Sequence, residues 1–504
     1  MKRFVTSALL AVVLPFALAA KGKLAEYLPA TAWVTMEIDD LESLFKDLEK
    51  GPFGELWNSP GMKKGREYLE KEFAKKTKDQ SAKEFFERMT EWSDKFSGQV
   101  AFGFGGVENL LEKDENDKPG VPELILLAET EITPKELEEF IRWMEKEVEG
   151  NADQDGLLVE KEQVVDEDVF FLSPSQQSED KERRVGVFVI DGVFGIGGGR
   201  STIEGLVKSL ADDPAGGLAE NPDYLDVFDE IGSGDVRFFL NFRRLGKVLD
   251  FVRLSDDTQV PENPFGVTTK GILDALGLEG LDCLGLQMDF DEEGMEIGTA
   301  LFMGKREGLL KLLRLPEGEA TLAPFVPSGV TTATVARYDF GAVWPVLEEI
   351  IGKISPALHL MINTQVQAFE TKAGVNVRKD LLGAFGDEIV TFSDVKALDP
   401  EALDSGELPM GEFYAISLRD SEVFDRALRT IVDTFVPGTE LFQDREHKGV
   451  TVRTMRGTEG AGFDLSYAIT PKWLLVNVGE RSRMLRAISR MDKSRKTLWK
   501  KPAV

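Results

Sequence analysis

LPATAWVTMEIDDLESLF, residues 28–45, decides the reading of this chain, because its plan is written again. VPSGVTTATVARYDFGAVWPVL, from Val326, repeats it: an apolar residue and Pro, a short turn, a strand, an acidic residue, a helix. A looser third version, GDVRFFLNFRRLGKVLDFV, begins at Gly234. In the first copy Trp33, Thr35, Glu37 and Asp39 alternate with Val34, Met36 and Ile38, which is strand period. Asp39 or Asp40 then caps a helix to about Lys50, with Leu41, Leu44, Phe45 and Leu48 on one face.

Working outward, the same parts recur in the same order. GQVAFGFG from Gly98 reads as a strand, and so does the stretch from Leu124 to Glu129. Thr133-Pro134-Lys135-Glu136 opens a helix with a capping box and Pro at its first position. Its apolar stripe of Leu137, Phe140, Ile141, Met144 and Val148 has the spacing of Phe424, Ala427, Leu428, Ile431 and Phe435. A hairpin follows each helix, and each half closes with strand, turn, strand and helix, the strand ending in Gly ahead of Arg200-Ser201 and Arg481-Ser482. Between the halves, LGLQMDF and MEIGTALFM form a further hairpin turned by Asp291 to Gly294.

Hairpins packed against amphipathic helices predict an α+β fold with mostly antiparallel sheets, built from an internal duplication. At roughly 150 residues per domain, a chain of 504 residues predicts several. The divisions expected are a signal peptide at 1–19, an N-terminal repeat at 20–225, and a middle segment at 226–325, either a partial repeat or a bridge. A C-terminal repeat at 326–492 and a basic tail at 493–504 complete the chain.

The N-terminus predicts export. Lys2 and Arg3 precede an apolar run, and Ala17-Leu18-Ala19 fits the small-residue rule for cleavage after Ala19. The run is shorter than the ~20 residues of a spanning helix, and Pro15 interrupts it. No later stretch has the length and apolarity of a span, so no transmembrane anchor is expected after cleavage, and the address is periplasmic or extracellular. The formal charge of −29 repels nucleic acid and anionic lipid. Cys283 is the only cysteine, which excludes an intramolecular disulfide and reads as a small core residue.

NADQDGLLVEKE, residues 151–162, is the sharpest ligand motif. Asn151, Asp153 and Asp155 offer side-chain oxygens, Leu157 its carbonyl and Glu162 a bidentate carboxylate, as a calcium loop requires. Against it, the exit VEKEQVV reads as strand, and the second half has no matching set. GIGGGRST from Gly195 has Arg200 where a dinucleotide loop needs Gly, and it lacks the Lys of a nucleotide-binding loop. His359 and His447 are the only histidines, too few for a zinc site with one Cys. Ser43/Lys46 and Ser393/Lys396 fit S-x-x-K without further context, and no G-x-S-x-G occurs. No catalytic residue or cofactor is therefore assigned beyond that calcium loop.

The stretch from Leu28-Pro29 through Asp39-Asp40 to the Leu-Trp-x-x-Pro-like segment at Leu56 to Pro60 resembles the opening of a known family. These are exported bacterial proteins of unknown function, frequent in planctomycete-type genomes. GILDALGLEGLDCLG from Gly271 is similar to that family's middle. The resemblance implies export and no known enzymatic activity, and brings no catalytic residues with it. The expectation is a non-enzymatic binding or structural module of the cell envelope, its partner an envelope protein or polymer. A carboxylate-based hydrolase of envelope polysaccharide and a calcium-stabilised binding module are the alternatives.

Overall fold

The computed structural model describes residues 24–66, 88, 91–106, 108–109, 120–150, 157–174, 181–211, 217–244, 246, 250, 263–292, 294–330, 332–395, 410–435, 442–455, 465–479, 481–491 and 498. The signal segment 1–19 lies outside them, as does all of the basic tail except Leu498. The chain divides into two compact units, Met1–Asp256 with Glu279–Lys305, and Asp257–Leu278 with Arg306–Val504. The middle segment is thus shared between them.

The first unit contains β1 (Val34–Ile38), β2 (Phe96–Gly105), β3 (Glu123–Thr130), β4 (Leu157–Val164), β5 (Glu167–Pro174), β6 (Val185–Ile190), β7 (Val193–Gly198), β8 (Val236–Asn241), β9 (Leu281–Phe290) and β10 (Met295–Met303). They form one ten-stranded sheet in the order β10-β9-β8-β1-β2-β3-β7-β6-β5-β4, and each neighbouring pair is antiparallel.

The second unit contains β11 (Thr332–Arg337), β12 (Phe385–Val395), β13 (Met410–Leu418), β14 (Phe442–His447), β15 (Val450–Met455), β16 (Leu465–Ile469) and β17 (Trp473–Val478). They form a seven-stranded antiparallel sheet in the order β11-β12-β13-β17-β16-β15-β14. That is the order of β1 to β7 in the first sheet.

The two sheets also share register. Between β2 and β3, Phe96 faces Thr130 and Val100 faces Ala128. Between β12 and β13, Phe385 faces Leu418 and Ile389 faces Ile416, the same irregularity at the same place. Taking Val100 as the counterpart of Ile389 makes Leu124 that of Glu412 and Gly198 that of Val478. Leu124 does pair with Gly198, and Glu412 with Val478. The same count continues through the hairpins, where Glu162 faces Val169 and Arg445 faces Val452. It also makes Ile38 the counterpart of Ala336, the spacing already set by Pro29 and Pro327.

Helices cover both faces of each sheet, because alternate residues of these strands are apolar and must be shielded. In the first unit these are α1 (Leu41–Lys50), α2 (Pro52–Asn58), α3 (Pro134–Gly150), α4 (Arg200–Ala211) and α5 (Pro222–Ile231). Leu41, Leu44 and Phe45 of α1 join Leu137 and Ile141 of α3 in one core. In the other, Ile203, Leu206 and Val207 of α4 and Val227 of α5 meet Leu24 and Leu28 from the segment before β1. Asp40 Oδ1 accepts from Ser43 N–H at 2.8 Å and starts α1. The capping box of α3 is formed, with Thr133 N–H donating to Glu136 Oε2 at 2.9 Å and Glu136 N–H donating to Thr133 Oγ1 at 3.3 Å.

The second unit has α6 (Thr269–Leu276), α7 (Val343–Ile354), α8 (Pro356–Ala373), α9 (Ser421–Phe435) and α10 (Arg481–Met491). Met484, Ala487 and Ile488 of α10 pack with Phe325 and Val326, which precede β11. On other clusters, Phe424 of α9 meets Ala384 and Leu418, and Ala427 meets Ala373 and Val375. The small Ala427 is where α8 approaches. The strand pattern does not mark β12, because it opens on Gly386-Asp387-Glu388 and its apolar alternation starts only after the irregular stretch. Among the described residues no helix is long and apolar enough to cross a membrane.

Candidate functional site

Of the calcium set, Asn151, Asp153 and Asp155 lie outside the described residues. Leu157 and Glu162 are both on β4. Five residues of extended strand span about 16 Å, whereas oxygens sharing one calcium, each about 2.3–2.6 Å from it, lie within about 5 Å of each other. The strand therefore does not bring these two together. Glu162 faces Arg200 at the start of α4, which donates from Nη1 to Oε1 at 3.0 Å and from Nη2 to Oε2 at 2.5 Å. Arg200 Nε also donates to Glu204 Oε1 at 2.7 Å. The residue that spoils the dinucleotide motif is thus the clamp of a cross-element ion pair.

The glycine run serves packing. A Cβ on Gly195 would meet Phe188 Cζ at 2.1 Å, and one on Gly197 would meet Ile203 Cδ1 at 2.8 Å. Phe188 and Ile203 are fully buried, and they take the space the glycines leave. Gly199, with φ of 91°, makes the turn into α4.

The histidines and Ser43 are each held by a partner of their own. His359 Nε2 is 2.8 Å from Asn363 Nδ2 on the same helix. His447 is half-buried rather than freely solvated, with Nε2 2.8 Å from Ser489 Oγ. Ser43 Oγ donates to Asp47, while Lys46 pairs with Glu42. Among the described residues no group of three or more His, Cys, Asp or Glu is arranged to hold a metal ion.

A buried polar cluster lies where β1 meets β8, and no motif of the sequence marks it. Glu37 and Arg237 face each other in register. Arg237 Nη2 lies 3.1 Å from Glu37 Oε2 and also binds Asp39. Tyr224 OH, from α5, lies 2.8 and 2.9 Å from the two Glu37 oxygens. Glu37 is 3% and Arg237 6% exposed. Burial, then the Glu37 charge, raises the Tyr224 pKa, so the phenol stays protonated and donates. Beside the cluster is a cavity of about 410 Å³ reached by Arg237, Asp229 and Ser233. Glu37 and Asp39 both engage Arg237 Nη2, while Arg237 Nε is buried without a partner among the described residues, an arrangement that fastens the two strands. The sequence signal was Glu37 inside a strand whose register brings an arginine opposite.

A second polar arrangement occurs in both sheets. Glu129 Oε2 accepts from Gln99 N–H at 2.9 Å, and Ser417 Oγ accepts from Glu388 N–H at 2.9 Å. Gln99 Oε1 in turn accepts from Leu24 N–H at 2.9 Å, and Glu388 Oε1 from Thr321 N–H at 3.1 Å. Gln99 corresponds to Glu388 and Glu129 to Ser417 in the shared register. In each unit this relay satisfies the backbone freed by the irregularity between the second and third strands, and ties down the segment entering the first strand. The chemistry is conserved while the residue types differ, so sequence comparison of the halves does not find it.

In the second unit Trp344, Val366, Phe369, Val377 and Phe435 line an apolar groove of about 490 Å³. Phe369 and Phe435 stack at 4.5 Å, and Lys372 Nζ lies 4.7 Å from the Phe435 ring. Gln365 and Lys372 are the polar residues of its described lining.

Compared with protein-family models, curated proteins and solved structures, the chain matches none. The architecture itself is an α+β fold with two large antiparallel sheets packed against helices.

Proposed function

We propose that this chain is an exported, non-enzymatic module of the bacterial cell envelope, built on an internal duplication and acting by binding or as a structural element. One observation carries the reading. Strand order, register and the Gln99–Glu129 and Glu388–Ser417 relays agree between the two sheets, while the described polar clusters hold backbone or cross-strand partners. Agreement of order alone could arise from a common fold. Agreement of an irregularity and of its side-chain relay favours duplication of one unit. The strands β8, β9 and β10, which succeed one another outward from β1, fit a third and shortened copy.

Export rests on the leader at 1–19 and on the likeness to exported proteins carried by residues 28–60. Binding rests on the acidic surface, which favours basic or neutral envelope partners over nucleic acid.

The test is made on the protein in its own cells. N-terminal sequencing after fractionation is expected to begin at Ala20 in the envelope or medium. A cytoplasmic product starting at Met1 overturns export. Crosslinking in intact cells is expected to retain an envelope protein or polymer, and turnover of an envelope glycan by the purified chain overturns the non-enzymatic reading.

A further inference from the structure

Among the described residues, the last strand of the second sheet has an unpaired edge where its counterpart is paired. β11 ends that sheet, with β12 as its only partner among the described strands. Tyr338 N–H donates to Asp387 O, which fixes the phase of the β11–β12 ladder. Residues 332, 334 and 336 turn their backbone toward β12, and Ala333, Val335 and Arg337 turn theirs toward the open edge. In the first sheet Asp39 N–H donates to Asp235 O and Asn241 N–H donates to Trp33 O. Thr35, Glu37 and Asp39 therefore turn theirs toward β8. In the shared register these are the counterparts of Ala333, Val335 and Arg337.

The closure of β1 shows what fits such an edge. Residues 34–38 pair antiparallel with residues 236–240 of β8, centred on Met36 opposite Phe238. β8 is the strand of the third written version of the same motif. A first strand is thus covered, within this molecule, by another first strand running the opposite way. Two identical strands paired antiparallel about a two-fold axis give the same geometry.

The open edge lacks the usual guards. TATVAR contains no Pro, no Lys and no acidic residue, in a chain of net charge −29; protected edges carry charges, prolines or bulges. Arg337, its one charge, is turned to its own unit, where it binds Asp387 and the Glu317 carbonyl. Thr332 and Thr334 are exposed. Apolar surface adjoins the Arg337 end. Leu315, 66% exposed, precedes Glu317, and Leu322, 57% exposed, follows Thr321, whose N–H is held by Glu388 opposite Arg337.

We propose that β11 pairs with β11 of a second copy of this chain, antiparallel about a two-fold axis at Thr334, joining two second-unit sheets into one. Thr334 is the counterpart of Met36, the centre of the β1–β8 pairing. Its backbone points to β12, so the Thr334–Thr334 pair across the axis is a non-hydrogen-bonded one, with Cα atoms about 4.5 Å apart. Val335 and Ala333 supply the bonds on either side. Such an isologous contact is self-complementary, and the exposed leucines extend it beyond the edge.

The experiment is sedimentation equilibrium of the expressed full chain at 1–100 µM, alone and with two variants. The wild type is expected to be a dimer at the upper end. Val335→Pro removes an N–H that faces the open edge and leaves the β12 ladder intact, as edge prolines do; it is expected to be a monomer with an unchanged far-ultraviolet spectrum. Thr334→Cys tests the axis without disturbing either ladder, since about 4.5 Å suits a disulfide. Oxidation is expected to give a covalent dimer from it and none from the wild type, whose sole thiol, Cys283, is buried. A wild-type monomer at 100 µM overturns the proposal, and so does a dimer in which Thr334→Cys does not cross-link. Either result leaves the export and binding reading standing.

Discussion

Glu37 and Arg237 face each other across the β1–β8 seam, both almost wholly buried, and Tyr224 closes the carboxylate from the side of α5. The pair sits where two versions of one sequence motif meet. Removing one partner of a buried pair leaves an uncompensated charge, which costs about 3–5 kcal/mol. Arg237→Ala is therefore expected to lose about that much in urea denaturation. Replacement of both residues, Glu37→Gln with Arg237→Met, is expected to lose clearly less. Equal losses for the single and double variants would show that the charge is not what matters.

The relay at the strand irregularity is expected to matter equally in both units. Ser417→Ala leaves Glu388 N–H without its acceptor in the protein interior, at a cost of about 1–3 kcal/mol. Glu129→Ala removes the counterpart acceptor of Gln99 N–H and is expected to fall in the same range. A loss below about 0.5 kcal/mol for Ser417→Ala, read from the denaturation midpoint at constant slope, would mean that water replaces the hydroxyl.

Glu136 carries a pH signature. The Lys95 ammonium beside it, then the Thr133 N–H and hydroxyl, hold its pKa down at about 2 against 4.5 for the free side chain. A depressed carboxylate stabilises the fold above the unfolded value and loses that contribution as pH falls through the folded one. The gap in stability between wild type and Glu136→Gln is expected to be full above pH 4.5 and to close toward pH 2. Because the side chain is partly solvated, the gap is small and best read in low salt. A gap independent of pH between 2 and 7 would assign the effect to capping alone.

Cys283 is expected to be inert in the folded chain. Its thiol is buried and donates toward Asp223 O at 3.7 Å, and burial with the Asp223 and Asp282 charges pushes its pKa up to about 12. Since the thiolate is the reactive form, maleimide labelling at pH 7 is expected only after denaturation. Rapid labelling of native protein would place the thiol at the surface.

Calcium is expected to leave the melting temperature unchanged relative to EDTA, because Glu162 is committed to Arg200 and stands a strand's length from Leu157. A ligand bound to the native state alone would raise it by mass action. A calcium-dependent rise that Asp155→Ala abolishes would restore the loop.

Several elements were legible one residue at a time. The capping box at Thr133 and Glu136, the stripe of α3, the hairpin turned at Asp291 and the alternation of β1 are local patterns, and local physics enforces them. β12 was not legible, because Gly386-Asp387-Glu388 breaks the alternation at the place where the strand is irregular. The glycines of GIGGGRST fit no nucleotide-binding motif; what explains them, the rings and methyls of Phe188 on the paired strand and Ile203 on the next helix, shows only in the packing.

The sequence by itself determined the kinds of element, their caps and the repetition of their order, since period and capping depend on residues within a turn or two. Only the tertiary structure decided that β8 closes the edge of β1 while β11 stays open among the described strands. Only it decided, too, that Glu37 meets Arg237, Glu162 meets Arg200, and Gln99 and Glu388 do the same work. Those outcomes depend on register between strands far apart in the chain, where a shift of one residue would turn every side chain to the other face. That register is set by the burial of whole faces together.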